Sequence, residues 1–301
     1  MSSEDKNEEN EPHQYINLPQ KSKFRMHAHC NPLSCVSIPY PFAPNCVDWT
    51  IHYPVLSNLP KSANNEIKIN TDKFPIDYRN ENYHPIATSK APKDSEITVN
   101  IVDIGCGYGG LLFNMSPHLG EGNVAVGMEI RDKVTNFVGE RIKILRLNSQ
   151  LKEYNNISVI RTNTMKLLLN YFYKGQLDKM FFCFADPHFK KYNHRKRIIN
   201  KYLLNDYSYV LKKGGKLYSI TDVEELHNWH VEVIKQNPCF RRMSEEEIKD
   251  DEFIKDMKNT DEARKVMKKK GNMYIAVYER VDEGIKSLHE LYDKIDYSAD
   301  E

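Results

Sequence analysis

ITVNIVDIGCGYGG, residues 97–110, joins a short apolar run to a glycine-rich loop. Residues 97–105 are mostly β-branched or apolar, which is typical of a buried strand. Glycines stand at 105, 107, 109 and 110, where they let the backbone turn tightly and approach a ligand. The stretch therefore predicts a strand, a ligand-binding loop and the start of a helix. A glycine turn that serves only packing is the alternative.

Strands and helices alternate downstream of this loop. Further strands are predicted at 123–130, 156–162, 178–186, 214–222, 239–243 and 272–281, and helices at 111–117, 131–147, 164–171, 198–211, 223–236 and 260–270. The acidic stretch 244–258 is predicted to be a loop. Helices between successive strands predict an α/β fold with a seven-stranded, mostly parallel sheet and helices on both faces. The last two strands are expected to pair antiparallel.

The composition divides the chain into four parts. Residues 1–22 are polar and charged, so we expect them to be disordered. Residues 23–96 are predicted to form an irregular arm, aromatic and proline-rich up to about residue 60, followed by a linker. The α/β domain spans 97–281. The extension 282–301 has helical spacing of apolar residues, and we expect it to dock on its own domain.

Charge and cysteine usage narrow the possible classes of protein. The formal net charge is +1, from 43 basic and 42 acidic residues, so any affinity for nucleic acid must come from local clusters. Six cysteines without a CxxC pair indicate a reduced, intracellular protein. His27, His29, Cys30 and Cys35 fit no zinc spacing well, so we expect no metal. No run of 18 apolar residues and no secretory signal are present, so we expect no membrane association.

Two carboxylates near the glycine loop indicate the kind of cofactor. Glu129 ends the second predicted strand, 24 residues after Gly105, where a carboxylate can hold ribose hydroxyls. Asp103 lies two residues before Gly105, where it suits a cationic ligand better than a pyrophosphate. S-adenosylmethionine carries an ammonium and a sulfonium group and no phosphate. The pattern therefore favours S-adenosylmethionine over NAD.

FFCFADPHFKKYNHRKR, residues 181–197, places an acid and then a basic run after a buried strand. In such folds ligands bind beyond the carboxyl ends of the strands, and we expect this strand beside the first one. Asp186 is therefore predicted to face the cofactor; its alternative is a helix cap. Cations mixed with His188, Phe189 and His194 suit phosphates and unstacked bases, so we predict RNA contact here. A solvated surface is the alternative.

Together these pieces resemble the eukaryotic catalytic subunit of tRNA (guanine-N7-)-methyltransferases. The matching segments span about residues 23–281 and are RMHAHCNP (25–32), DIGCGYGGLL, GMEIR, NYFYKGQL (170–177), KMFFCFADPHFKKYNHRKRII, LKKGGKLYSITDVEELHNW and NTDEARKV. One departure is Ala185, where the family usually has proline before the Asp-Pro-His sequence. The resemblance implies a Rossmann-like class I methyltransferase fold that transfers methyl to guanine N7 in the tRNA variable loop.

The resemblance also assigns roles to residues. It implies that the cofactor contacts Gly105, Gly107, Glu129, Ile130, Arg131, Asn163, Thr164, Cys183, Thr260 and Glu262. The implied catalytic acid is Asp186, and the implied RNA contacts are Arg25, His27, Lys190, His194 and Arg197. A helix-capping pair is the alternative for Thr260 and Glu262.

The resemblance further implies a WD-repeat β-propeller partner and a nuclear location, with the cytoplasm as a second compartment. Tyr171, Phe172 and Tyr173 are our candidate docking surface for the partner, with burial in the core as the alternative. Three other functions stay open: methylation of another substrate such as an mRNA cap, a small molecule or a protein; RNA binding without catalysis; and NAD-dependent oxidoreduction. The basic run argues against a small molecule, and intact Gly105, Glu129 and Asp186 argue against loss of catalysis.

Overall fold

The computed structural model describes residues 15–25, 30–34, 38–47, 49, 52–53 and 98–282. Its strands are β1 Ile101–Ile104, β2 Ala125–Glu129, β3 Ile157–Arg161, β4 Leu177–Cys183, β5 Leu211–Thr221, β6 Phe240–Arg242 and β7 Tyr274–Arg280. Its α-helices are α1 Gly110–Met115, α2 Asp132–Asn148, α3 Thr164–Leu167, α4 Leu203–Val210, α5 Glu224–Lys235, α6 Glu245–Ile248, α7 Glu252–Lys258 and α8 Asp261–Lys268.

The strands form one sheet in the order β3-β2-β1-β4-β5-β7-β6. Strands β1 to β5 pair in parallel, whereas β7 pairs antiparallel with both β5 and β6. The prediction of a seven-stranded, mostly parallel sheet is confirmed. Because β1 pairs with β2 on one side and β4 on the other, the strand order reverses there, and the crevice between their carboxyl ends is where such folds bind ligands.

Helices cover both faces of the sheet, so residues of the central strands are buried on both sides rather than alternately buried and exposed. All four residues of β1 are buried. Val102 and Ile104 pack on one face with Phe172 and Tyr207, whereas Ile101 packs on the other face with residues such as Phe137. Two apolar layers therefore hold the strand ends in place.

The helices differ from the prediction in two regions. The predicted helix 198–211 is shorter, and a 3-10 helix at Lys191–Lys196 precedes α4. The stretch 244–258, predicted to be a loop, contains α6 and α7. Ser244 and Glu247 form a reciprocal capping box at α6, and the Asp251 side chain accepts a hydrogen bond from the Phe253 N–H at α7. The acidic residues of this stretch therefore start helices.

The described parts of the N-terminal arm pack on the domain. Trp49 stacks on Phe172 with ring centroids 5.8 Å apart, and the Tyr53 hydroxyl donates to the Ala125 carbonyl at 2.9 Å. Tyr171 and Phe172 are fully buried, so the prediction that they form an exposed docking surface is wrong. Both rings lie in the core under Trp49 and β2.

Part of the segment predicted to be disordered also lies against the domain. The Asn148 side-chain amide exchanges two hydrogen bonds with the backbone of Ile16, at 2.9 and 2.8 Å. Lys21 pairs with Asp261, and its ammonium lies 5.0 Å from the ring centroid of Tyr108. Residues 15–22 therefore differ from our expectation, because Asn148 and Asp261 supply partners that the sequence does not reveal.

Several predictions fall outside the described residues, namely those for His27, for the linker up to residue 97 and for the extension from residue 283. Among the described helices, none is both long and apolar enough to cross a membrane. Within the described part of the chain, no three histidine, cysteine or acidic side chains cluster as metal ligands would.

Candidate active site

A cavity of about 600 Å³ opens at the carboxyl ends of β1, β2 and β4. It is lined by all ten residues that we predicted to contact the cofactor: Gly105, Gly107, Glu129, Ile130, Arg131, Asn163, Thr164, Cys183, Thr260 and Glu262. Asp186 lines the same cavity. Residues that span more than 150 positions of sequence thus meet in one place, because parallel strands end at the same edge of the sheet.

The glycine loop forms the floor of this cavity. Gly105, Gly107 and Gly109 have φ of +72°, +54° and +77°, a region that L side chains rarely adopt. At Gly109 a Cβ would also lie 2.9 Å from the Phe113 ring and 3.0 Å from Val138. The loop therefore requires glycine for its turn and for the close packing of α1 on α2.

Asp103 is a buried carboxyl group beside the glycine loop. It is 1% exposed, and its Oδ1 has no hydrogen-bond partner among the described residues. Burial, followed by the charges of Glu262 and Glu129, raises the pKa of Asp103 to about 8. A buried acid with two acidic neighbours and an unsatisfied oxygen is unfavourable by itself, and a cation bound in the cavity would relieve it.

Glu129 is 3% exposed and accepts four hydrogen bonds. Oε2 accepts from the Gly107 N–H at 3.1 Å, and Oε1 accepts from the Arg131 N–H at 2.9 Å. The Arg131 guanidinium donates to both oxygens at 3.0 Å. Glu129 thus ties the glycine loop to the start of α2. A ligand hydroxyl that binds this carboxylate must take the place of one of these donors.

The arm contributes one wall of the cavity. The Asn163 side-chain amide donates to the Pro32 carbonyl at 2.6 Å, and Lys166 donates to the Ser34 carbonyl at 2.8 Å. Cys30 and Pro32 line the cavity beside them. Residue types alone do not assign Cys30 and Pro32 to the site. The signal was the RMHAHCNP segment, which carries part of the family resemblance.

Thr260 and Glu262 take different parts at the start of α8. The Thr260 hydroxyl accepts from the Ala263 N–H at 3.3 Å and donates to the Met257 carbonyl at 3.0 Å, so this residue does cap the helix. Glu262 lines the cavity and raises the pKa of Asp103 through its charge. The alternative of a simple capping pair therefore describes Thr260 only.

The segment that carries Asp186 leaves the end of β4 in an unusual conformation. Phe184 and His188 both have positive φ, at +52° and +46°. Asp186 lies midway between them and faces the cavity. The 3-10 helix that follows has Lys190 at its N-cap, so Asp186 is not a helix cap. The segment therefore places the Asp186 side chain at the cavity, beside the strand that leads into the glycine loop.

The rim next to Asp186 carries exposed aromatic rings and cations. Phe189 and Tyr192 are 64% and 68% exposed, and Lys190 is exposed between them. Arg25, the other described candidate for an RNA contact from the arm, is also exposed, but it does not line the cavity. His194 is half-buried, with its ring 5.2 Å from that of Trp229 in an edge-on arrangement. The rim therefore presents both positive charge and flat apolar surface to solvent.

The structure places Arg197 differently from our expectation of an RNA contact. Its side chain is 1% exposed. Nε donates to the Pro187 carbonyl at 2.9 Å, and a terminal nitrogen donates to Glu225 at 2.7 Å. The guanidinium lies 4.8 Å from the ring centroid of Trp229. The basic run thus contains several exposed cations and one buried cation, Arg197, which makes its contacts within the protein.

Comparisons with known proteins show the family to which the chain belongs. A family model described as a putative methyltransferase matches residues 98–276. Three similar proteins are each named tRNA (guanine-N(7)-)-methyltransferase. The protein of Eremothecium gossypii is 42% identical over 88% of this chain and 84% of its own length. That of Xenopus laevis is 41% identical over 89% and 91%, and that of Bombyx mori 40% over 90% and 99%. Matches of this extent, on a chain whose cavity gathers the family's motifs, show that it belongs to the tRNA (guanine-N7)-methyltransferase family.

Proposed function

We propose that this protein transfers a methyl group from S-adenosylmethionine to N7 of a guanine in tRNA, the reaction EC 2.1.1.33. The observation that carries the proposal is the meeting of two features at one cavity: a glycine loop with a buried, unsatisfied carboxyl group, and Asp186 beside an exposed basic and aromatic rim. The names of the similar proteins support this substrate.

The residues of the cavity fit S-adenosylmethionine. Asp103 offers an unsatisfied oxygen to a cationic group, and Glu129 offers a carboxylate to ribose hydroxyls after one of its donors is displaced. Bound S-adenosylmethionine supplies a methyl group that its sulfonium already activates. The protein therefore needs to hold the donor in place more than to activate it.

Asp186 suits recognition of guanine. N7 of guanine carries a free lone pair at neutral pH, so no base is needed to activate it. A carboxylate at the cavity edge can accept hydrogen bonds from N1–H and the exocyclic amino group, which adenine cannot offer in that arrangement. The same charge opposes the positive charge that develops on the methylated ring. Alignment of the reacting atoms is then the main source of the rate enhancement, worth up to about 7–11 kcal/mol in ideal cases.

The rim suits a nucleic acid whose target base is unstacked. Phe189 lines the cavity and is largely exposed, so a base can stack on its ring, and Lys190 can contact a phosphate. Stacking of a base on an aromatic side chain contributes about 1–3 kcal/mol. RNA recognition at exposed, unstacked bases uses this combination of rings and cations.

Three finer points rest on the family resemblance. We propose that the target lies in the variable loop, that the chain is the catalytic subunit of a heterodimer with a WD-repeat β-propeller protein, and that the complex works in the nucleus. Methylation of another RNA or of a cap is the second candidate function. The exposed rings and cations of the rim support it, because they suit RNA in general.

The test is methyl transfer from labelled S-adenosylmethionine to total tRNA, followed by borohydride–aniline cleavage to map N7-methylguanosine. Asp186→Ala is expected to lower kcat by roughly 10²–10³-fold, whereas Asp250→Ala, an exposed acid, serves as the matched control. Activity that requires a co-purified propeller protein would support the heterodimer. Cofactor binding without methylation of any tRNA, with the partner present, would overturn the substrate and direct the search to other RNAs.

A further inference from the structure

We infer that Arg197 is a positioning residue that holds the Asp186 segment in its active geometry, rather than a contact to RNA. The inference rests on the proposed function, because it concerns the presentation of the acid that we assign to guanine. Arg197 does not line the cavity, so it acts through the backbone beside Asp186.

The Asp186 segment needs to be held from outside. Phe184 and His188, two residues on either side of Asp186, both have positive φ. This conformation is unfavourable for residues with a Cβ, and it persists only where surrounding contacts impose it. Neither a glycine nor a helix within the segment relieves it, since β4 ends at Cys183 and the next helix starts at Lys191.

Arg197 supplies such a contact at the residue next to Asp186. Its Nε donates to the carbonyl of Pro187 at 2.9 Å, and its terminal nitrogen donates to Glu225 at 2.7 Å. Glu225 lies in the first turn of α5, and Trp229, whose ring lies under the guanidinium, is one turn further along. The guanidinium thus ties the Asp186 segment to α5.

The same helix holds the other end of the segment. The Trp229 indole N–H donates to the Ile199 carbonyl at 2.8 Å. Helix α5 is anchored in turn by buried Leu226, Val233 and Ile234. The segment from Asp186 to Ile199 is therefore attached at both ends to one rigid element, and Arg197 makes its attachment at the residue next to the acid.

Lysine cannot replace arginine here. The planar guanidinium donates to Pro187 and Glu225 from separate nitrogens while it lies over the indole ring, whereas an ammonium group is a single point charge. Arg197→Lys keeps the charge and releases the segment. We therefore expect kcat to fall by roughly 10- to 100-fold, as small misplacements of reacting groups do, while the affinities for tRNA and for the cofactor stay unchanged.

Arg146→Lys is the matched control, because Arg146 is also fully buried but donates to carbonyls at the opposite end of the sheet. It is expected to lower stability and keep kcat. Hydrogen exchange gives a readout without activity: the amides at 184–190, apart from Pro187, which has no amide hydrogen, should exchange faster than in the wild type in Arg197→Lys and at the wild-type rate in Arg146→Lys. Glu225→Gln, at a half-exposed position, should also lower kcat and speed hydrogen exchange at 184–190, but by less than Arg197→Lys does. This variant tests the inference if Arg197→Lys does not fold.

The full chain is used, with its partner if the isolated chain is inactive. Weaker tRNA binding in Arg197→Lys with kcat intact at saturation, as expected for Lys190→Ala, would overturn the inference in favour of an RNA contact. Equal losses of kcat in Arg197→Lys and Arg146→Lys would reduce Arg197 to a stabilising role. If the wild-type protein methylates no tRNA, the proposed function falls. Unchanged exchange at 184–190 in Arg197→Lys would separately refute the positioning role of Arg197.

Discussion

Charged side chains are arranged differently at the two ends of the sheet. At the amino end, a pocket of about 370 Å³ is lined by acids and lysines that pair with each other: Lys212 with Asp178, and Lys216 with Asp251 at 3.2 Å. At the carboxyl end, Asp103 is buried beside two other acids and has an oxygen without a partner among the described residues. Matched charges stabilise the fold, whereas an unmatched buried charge indicates a site for a ligand.

Two buried arginines of the described part of the chain repeat this contrast. Arg146 donates to the carbonyls of His52, Tyr154 and Ile157, all distant from the cavity. Arg197 donates to a carbonyl beside Asp186 and to an acid that solvent also reaches. The first arginine secures the arm to the domain, and the second secures the active-site segment. The same residue type thus stabilises the fold at one end and supports function at the other.

The largest expected effect is a loss of stability at the amino end. Arg146→Met removes the donor of two buried carbonyls and one partly buried carbonyl, and each buried one is worth about 1–3 kcal/mol, so we expect the free energy of unfolding to fall by about 3 kcal/mol or more. Urea unfolding measures it. Glu140→Met, exposed on the same helix, should change stability by less than about 0.5 kcal/mol. Equal effects would mean that Arg146 does not anchor the arm.

At the carboxyl end, Asp103→Asn should lower the affinity for the cofactor and leave the stability of the fold intact. The amide keeps the shape but loses the charge, so we expect affinity for S-adenosylmethionine to fall by about 1.5–3 kcal/mol, the usual range for hydrogen bonds to charged groups. The unliganded protein should be as stable as the wild type or more so, because the amide has no charge that burial could disfavour at any pH. Calorimetric titration and thermal unfolding separate the two. Unchanged affinity would remove Asp103 from the site.

At the amino end, Asp251→Asn is expected to have the opposite effect: lower stability with unchanged cofactor affinity. Its carboxylate accepts from Lys216 and from the Tyr218 hydroxyl at 2.8 Å, so we expect the free energy of unfolding to fall by about 1–2 kcal/mol. Cofactor affinity should not change. A loss of affinity similar to that of Asp103→Asn would break the distinction between the two ends.

The smallest effect is a pH dependence that belongs to the carboxyl end. The pKa of Asp103 is raised from 3.8 to about 8, so in this range the unliganded folded state binds a proton that the unfolded state has lost. The stability contributed by this group therefore falls as pH rises from about 4 to about 8. Affinity for the cationic cofactor should rise over the upper part of this window, by at most about tenfold per unit.

Equilibrium dialysis at about pH 6, 7 and 8 measures this rise in affinity, with Asp103→Asn as the reference. The difference between the two proteins should widen with pH, because only the wild type gains a charge at this position. Parallel affinity curves for the two proteins would show that Asp103 does not titrate in contact with the cofactor.

Much of the site followed from residue patterns alone. Apolar strands that end in Gly105, Glu129 and Asp186 could be assigned to one edge, because parallel strands in this class of sheet all end there. The helices at 244–258 could have been found too, since Ser244 and Glu247 have the spacing of a capping box. The bond from Asn163 to Pro32 could not, because it joins positions 131 residues apart.

The sequence by itself determined the alternation of strands and helices, the glycine loop and the positions of the acids at strand ends. These features depend on backbone conformation and on apolar periodicity, which act between near neighbours along the chain. Only the tertiary structure decided which cation of the run 190–197 turns inward. Burial of a guanidinium depends on partners that replace its water, and Glu225 and Trp229 come from a helix that packs beside the run only in the folded protein.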